Sequence, residues 1–520
     1  MTIGNLRCAI VLAATVVVLG PARASAASCE SVAALTLPNT TITLARMVGV
    51  GGEGFTAFTL PSELKLPPEA VTRVMADVPA FCRVAATLRP SSDSDIKIEV
   101  WMPPGAWNGK FLGVGNGGWA GVISYPGLAD AVRRGYAVAS TDTGHTGIAG
   151  QASFAMGHPE KLVDFGYRAV REMTVTAKAI VRAFYDQGPR YAYWNGCSTG
   201  GKQGLTEAQR FPADYDGIVA GAPANYWTHL MAGLISISRA TLTDKASYIP
   251  PAKFQVLHRA VLNACDARDG VTDSVLDDPR SCRFDPEVLA CKAGEDGPEC
   301  LTAPQIVAAR KIYGPLANPR TGETIFPGLP LGSEPGWVAA AGGPEPFAIP
   351  ASFFKYVVFE NPNWDFRTLD FDRDVVRADE AVGAVLNAID PNVKPFVDRG
   401  GKLLLYHGWS DNVITAQNTI NYYESVKTTL GARETDSAVR LFMAPGMGHC
   451  GGGPGPNTAD WLTALERWVE KGQAPDAIVA SHSTNGVVDR TRPLCRYPQV
   501  ARYKGSGSTD EAANSVCAAP

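Results

Sequence analysis

The chain has 520 residues, of which 45% are hydrophobic and 19% charged, and its formal net charge is −4. Its length allows a large buried core and calls for two or more domains, and its composition is that of a globular protein. No basic patch or arginine-rich run appears, which excludes nucleic acid as an expected partner.

The first segment reads as a secretion signal. Arg7 supplies the positive start, Ala9 to Leu19 the short apolar run, and Ala24-Ser25-Ala26 the small residues for cleavage. Residues 1–26 are therefore set apart from the fold, and losing Arg7 and Arg23 moves the charge from −4 to −6. No later run reaches membrane-spanning length, so no membrane partner is expected. Of eleven cysteines, Cys8 leaves with the signal. The even remainder in an exported chain predicts disulfides, with the connectivity left open by spacing.

Short apolar runs follow in chain order: Ile96 to Trp101, Phe111 to Gly115, Tyr136 to Ser140, Tyr191 to Trp194, Gly217 to Gly221, Lys402 to Tyr406 and Val439 to Met443. Helical patterns lie between them at Tyr167 to Tyr185, Gly204 to Phe211 and Trp461 to Lys471. This alternation predicts an α/β fold with a mostly parallel sheet covered on both faces. From about Tyr226 to Asp390 the alternation stops, in a segment rich in Pro, Gly, Asp and aromatics. It reads as a lid domain (226–390) inserted into a catalytic domain formed by 27–225 and 391–520, over the strand ends that carry chemistry. The polar tail from Gly505 to Pro520 is expected to be loose except where Cys517 is tied down.

Gly196-Cys197-Ser198-Thr199-Gly200-Gly201 follows one of these apolar runs and precedes a helical segment. A strand, a sharp Gly-x-Ser-x-Gly turn and a helix make a nucleophile elbow, with Ser198 as the nucleophile. A serine needs a base, and the base needs an orienter. His449 lies in a glycine-rich loop after the last apolar run, and Asp411 follows the run that ends at Tyr406. The order Ser198, Asp411, His449 is the one expected of an α/β-hydrolase. His407 is the rival histidine and reads as packing or support. Negative charge developing on the substrate oxygen needs N–H donors, expected from Thr199 and from Gly117 or Gly118 in the loop Gly115 to Gly121. Cys197 and Cys450 flank the serine and the histidine. If those two side chains touch, their neighbouring cysteines are close enough to bridge.

These residues resemble the tannase and feruloyl esterase family. The resemblance is carried by Gly196 to Gly201, by Asp411 after His407-Gly408, by Gly446-Met447-Gly448-His449-Cys450 and by Gly115-Asn116-Gly117-Gly118. It implies an α/β-hydrolase core, a lid and a disulfide between Cys197 and Cys450. It further implies a structural Ca²⁺ in the lid, held by the side chains of Asp266, Asp269 and Asp273 and the carbonyls of Val271 and Val275. Closely spaced aspartates around a glycine suit a hard cation, though the terminal glutamate of an EF-hand is missing. The resemblance also pairs Cys29 with Cys82, Cys265 with Cys282, Cys291 with Cys300, and Cys495 with Cys517.

The activity it implies is hydrolysis of a small aromatic ester, feruloyl or hydroxycinnamoyl first, with galloyl esters and terephthalate monoesters next. No obligate protein partner is expected. The lid aromatics Trp337, Phe353, Phe354, Tyr356, Phe359, Trp364 and Phe366 could hold a planar acyl group, but lid core is the favoured reading. Lys355 is expected to be exposed. A calcium-stapled binding module and a long-chain lipase are the competing classes.

Overall fold

The computed structural model describes residues 1–2, 28–55 and 68–520. The signal expected over residues 1–26 lies, but for Met1 and Thr2, outside the described residues.

Nine strands form the main sheet: β1 (Thr40–Val48), β2 (Phe81–Leu88), β3 (Ile96–Met102), β4 (Lys110–Val114), β5 (Ala137–Thr141), β6 (Tyr191–Cys197), β7 (Gly217–Gly221), β8 (Lys402–Gly408) and β9 (Val439–Ala444). Their order across the sheet is β1-β2-β3-β5-β4-β6-β7-β8-β9. From β5 to β9 every pairing is parallel, and from β1 to β5 through β2 and β3 it is antiparallel. The parallel strands are buried on both faces, which is why they read as continuous apolar runs. One face is covered by the helix Ala169–Tyr185, whose Met173, Ala177, Ile180 and Phe184 join the core. The other is covered by Tyr125–Arg133 and by Trp461–Lys471, whose Leu462, Leu465 and Trp468 point inward.

Strand β3 is buried along nearly its whole length, and with it Glu99. Its carboxylate accepts from Arg83 Nε and Nη2 at 2.8 and 2.6 Å, from Trp101 Nε1 at 2.7 Å and from the Tyr125 hydroxyl at 3.0 Å. The tail is tied down around Cys517, which is bridged to Cys495 and lies in the strand Ser515–Ala518 paired with Val500–Tyr503. Lys355 is half-buried rather than exposed.

Between β7 and β8 the chain leaves the sheet and builds mostly helix, including Trp227–Leu242, Pro251–Cys265 and Ala303–Tyr313. Trp337, Phe353, Phe354, Trp364 and Phe366 are buried in one apolar cluster, so these five aromatics are core. Trp119, from the glycine loop after β4, sits in the same cluster. Its ring lies 4.9 Å from Trp227, and its indole N–H donates to the Ile349 carbonyl at 3.1 Å. The inserted segment is thus packed directly on the loop that follows β4.

The Arg83–Glu99 pair offers a stability test. Glu99→Leu takes the carboxylate away from a buried guanidinium, and breaking such a pair costs about 3–5 kcal/mol. The denaturant midpoint should fall accordingly; a midpoint equal to that of the parent would contradict this account.

Candidate active site

Strand β6 ends at Cys197, and the helix Thr199–Arg210 begins one residue later. Ser198 makes the turn between them with φ 64° and ψ −122°. A side chain in this region of positive φ costs roughly 1–3 kcal/mol. Three backbone hydrogen bonds hold it: Ser198 N–H to the Gly221 carbonyl at 2.9 Å, and the N–H groups of Lys202 and Ala224 to the Ser198 carbonyl at 3.0 and 3.1 Å. The flanking glycines are required by close approach. A Cβ on Gly196 would lie 2.5 Å from the Gly200 carbonyl oxygen, and one on Gly200 would press on Gly115 and Asn116 at 3.1 Å.

His449 sits in the loop after β9, and Asp411 in the loop after β8. The structure brings both to Ser198. His449 Nδ1 lies 2.8 Å from Asp411 Oδ2, and His449 Nε2 lies 3.0 Å from Ser198 Oγ. A carboxylate only accepts, so Nδ1–H donates to Asp411 and Nε2 accepts from the Ser198 hydroxyl. Asp411 is fully buried, and its Oδ1 accepts from the N–H groups of Val413 and Ile414 at 2.8 and 2.9 Å. Burial pushes its carboxyl pKa up, but the charge of His449 and hydrogen bonds from His407 and His449 overcome this and hold it below the usual carboxylate range. For His449, burial opposes the charged ring, yet Asp411 raises its pKa above the ordinary 6.5.

The glycine loop after β4 lies against the elbow. The Thr199 hydroxyl donates to the Gly118 carbonyl at 2.7 Å, and Gly200 N–H donates to the Asn116 carbonyl at 2.7 Å. Gly118 has φ 55°, and a Cβ on Gly117 would meet open space. Among the described residues, no protein acceptor takes the N–H of Thr199, Gly117 or Gly118.

Two supports of this loop are not visible in the sequence. The side-chain amides of Asn116 and Gln203 meet, with Gln203 Nε2 donating to Asn116 Oδ1 at 3.1 Å. Gln203 Oε1 in turn accepts from the Asn116 N–H at 3.1 Å. Asn116 Nδ2 also donates to the carbonyls of Val122 and Thr141. The residues are 87 apart in the chain, and only the elbow helix following Ser198 hints that Gln203 lies nearby.

All five expected disulfides are present: Cys29–Cys82, Cys197–Cys450, Cys265–Cys282, Cys291–Cys300 and Cys495–Cys517. Cys197–Cys450 joins the elbow to the histidine loop across a separation of 253 residues.

The aspartate loop of the inserted segment is arranged differently from a gathered metal centre. Asp266 accepts from the N–H groups of Asp273 and Ser274, Asp269 from that of Val271, and Asp273 from that of Val275. Asp273 also pairs with Arg492. Among the described residues, no group of three or more His, Cys, Asp or Glu side chains is placed to hold a metal ion. The donor chemistry, carboxylate oxygens in a loop closed by Cys265–Cys282, is still that of a hard-cation site.

Comparisons with known proteins agree with this geometry. Residues 82–518 match the family described as tannase and feruloyl esterase. An uncharacterized esterase of Xanthomonas campestris is 40% identical over 555 residues, covering 97% of this chain and 93% of that protein. A probable feruloyl esterase B-2 of Aspergillus oryzae is 36% identical, covering 92% of each chain. The crystal structure of feruloyl esterase B from Aspergillus oryzae superposes with a TM-score of 0.86 at 31% identity, covering 94% of this chain and 99% of that one. An α/β-hydrolase sheet, an elbow with its histidine and aspartate in reach, and a family match over most of the length converge: the chain belongs to the tannase and feruloyl esterase family of carboxylic ester hydrolases.

Proposed function

We propose that this chain is an exported serine esterase cleaving esters of aromatic acids, with feruloyl and related hydroxycinnamoyl esters as its first substrates. Galloyl esters and terephthalate monoesters come next. The observation that carries the reading is the continuous line of hydrogen bonds from Ser198 through His449 to Asp411, in a member of this family. Residues 27–225 and 391–520 form the catalytic body, and 226–390 the lid. Export is supported by the five disulfides, which need an oxidising compartment. Among the described residues no helix is long and apolar enough to cross a membrane.

In the mechanism, His449 Nε2 takes the proton of Ser198 as the hydroxyl oxygen attacks the ester carbonyl. The N–H of Thr199 and that of Gly117 or Gly118 stabilise the resulting oxyanion. The tetrahedral intermediate collapses, the alcohol leaves with the proton held by His449, and water attacks the acyl-enzyme by the same base. Asp411 holds the ring in the tautomer that this requires. Replacing Ser198 by Ala should lower kcat/KM for 4-nitrophenyl acetate on the order of 10⁴-fold or more. A panel of methyl ferulate, methyl gallate and mono(2-hydroxyethyl) terephthalate tests the acyl group. Turnover of the acetate with all three left intact would rule out the aromatic-acid assignment.

The pH dependence follows from the raised pKa of His449. The base must be neutral to accept a proton, so activity is lost as pH falls through that value. The acid limb of kcat/KM should have its midpoint above 6.5. A midpoint at or below 6.5 would contradict the raised pKa, and a profile with no acid limb would count against His449 as the base.

We also propose a structural Ca²⁺ in the loop of Asp266, Asp269 and Asp273, with the carbonyls of Val271 and Val275. Support comes from the hard oxygen donors and the disulfide that closes the loop. An ion bound only by the folded state stabilises it. A chelator should therefore lower Tm, and added Ca²⁺ should restore it. An unchanged Tm, with no metal found by elemental analysis of the purified protein, would refute the site.

A further inference from the structure

His407 is fully buried at the end of β8 and touches the same carboxylate oxygen as His449. Its Nε2 lies 3.1 Å from Asp411 Oδ2 and 2.7 Å from the Ile414 carbonyl oxygen. Both of these groups only accept, so Nε2 carries the proton and donates to both. Nδ1 is then the acceptor nitrogen, and its neighbour at 2.8 Å is Thr419 Oγ1, whose hydroxyl must donate to it. Thr419 is itself fully buried. No other polarity satisfies every contact with a neutral ring, so the Asp411 carboxylate and the Ile414 carbonyl fix the tautomer of His407 and the Thr419 hydroxyl completes it by donating to Nδ1.

We propose that Thr419 and His407 are positioning residues that extend the relay behind Asp411 and tune it for catalysis. This rests on the serine mechanism proposed above. Asp411 then receives four N–H donors: the amides of Val413 and Ile414 on Oδ1, and the rings of His407 and His449 on Oδ2. The two amides and the His407 ring leave Oδ2 aimed at His449 and prevent the carboxylate from rotating. The His407 N–H also places the positive end of a bond dipole on the oxygen that must steady the His449 imidazolium. This limits how strongly Asp411 holds the proton on His449, so that the ring can release it to the leaving alcohol. The titratable groups facing Asp411 are His407 and His449, and the one facing His449 is Asp411.

The test compares His407→Phe, His407→Gln and Thr419→Val with the parent, using 4-nitrophenyl acetate across a range of pH. His407→Phe should lower kcat on the order of 10- to 100-fold, the scale of a loss of alignment, with KM unchanged. It should also move the acid limb of kcat/KM to higher pH, because Asp411 without this donor favours the protonated ring. His407→Gln, whose amide N–H can reach the same oxygen, should recover most of kcat and return the limb toward its original position. Thr419→Val removes one hydroxyl at nearly constant shape and should shift kcat and the limb in the same directions by less. A merely structural role would lower Tm and leave the pH profile in place. If Thr419→Val and whichever His407 variants fold show the parental profile and kcat, the relay is overturned. Ser198→Ala, run alongside, separates the two failures: activity retained there overturns the serine mechanism and the relay with it, whereas activity lost there with unmoved His407 and Thr419 profiles overturns the relay alone.

Discussion

The organising constraint of this molecule is the close approach of two backbones around a strained serine. Ser198 occupies a conformation that most side chains avoid. It stays there because β7, the elbow helix and the glycine loop are all within hydrogen-bonding distance of its neighbours. The residues that permit this have no side chain to intervene. Gly196 and Gly200 let the helix sit on its own strand and let the loop after β4 rest on the helix. The local strain is offset by contacts from β7 and the turn after it, from the elbow helix and from the loop after β4, so the turn depends on elements far apart in the chain.

The same close approach couples the inserted segment to the site. The Thr199 hydroxyl holds the Gly118 carbonyl, and the next residue, Trp119, is buried among Trp227, Phe165 and Phe353. The donors expected to meet the substrate oxygen are thus one residue away from the apolar core of the insertion. The buried indole of Trp119 is thus a direct packing contact between the inserted segment and the loop that lies on the elbow.

What could be read from the residues follows from where the chemistry is written. Buried parallel strands leave uninterrupted apolar runs ending at glycine, so β4, β7, β8 and β9 were found nearly to the residue. Strand β2 was missed because Arg83 and Thr87 break its run; both are buried, and the partner that makes Arg83 acceptable, Glu99, lies on the next strand. Helix Trp227–Leu242 was missed because it is buried nearly all round and has no polar face to set a period. The triad candidates were legible because elbow, aspartate and histidine fall at strand ends in a fixed order. The Asn116–Gln203 pair and the His407 contact with Asp411 were not, since an amide pairing across 87 residues or a ring orientation leaves no linear trace.

The bridge between Cys197 and Cys450 has a consequence for how the polymer matures. Synthesised from its start, the chain presents Cys29 and Cys82, which can close at once, and then Cys197, whose mate is 253 residues away. At ordinary elongation rates that interval lasts on the order of tens of seconds. Cys265, Cys282, Cys291 and Cys300 all emerge within it and must pair among themselves while a lone thiol waits beside Ser198. Strictly sequential oxidation would join Cys197 to the wrong sulfur. Thiol–disulfide exchange is the route by which such an error returns to the native pairing, and the bond between Cys197 and Cys450 can close only after nearly the whole polymer has been made.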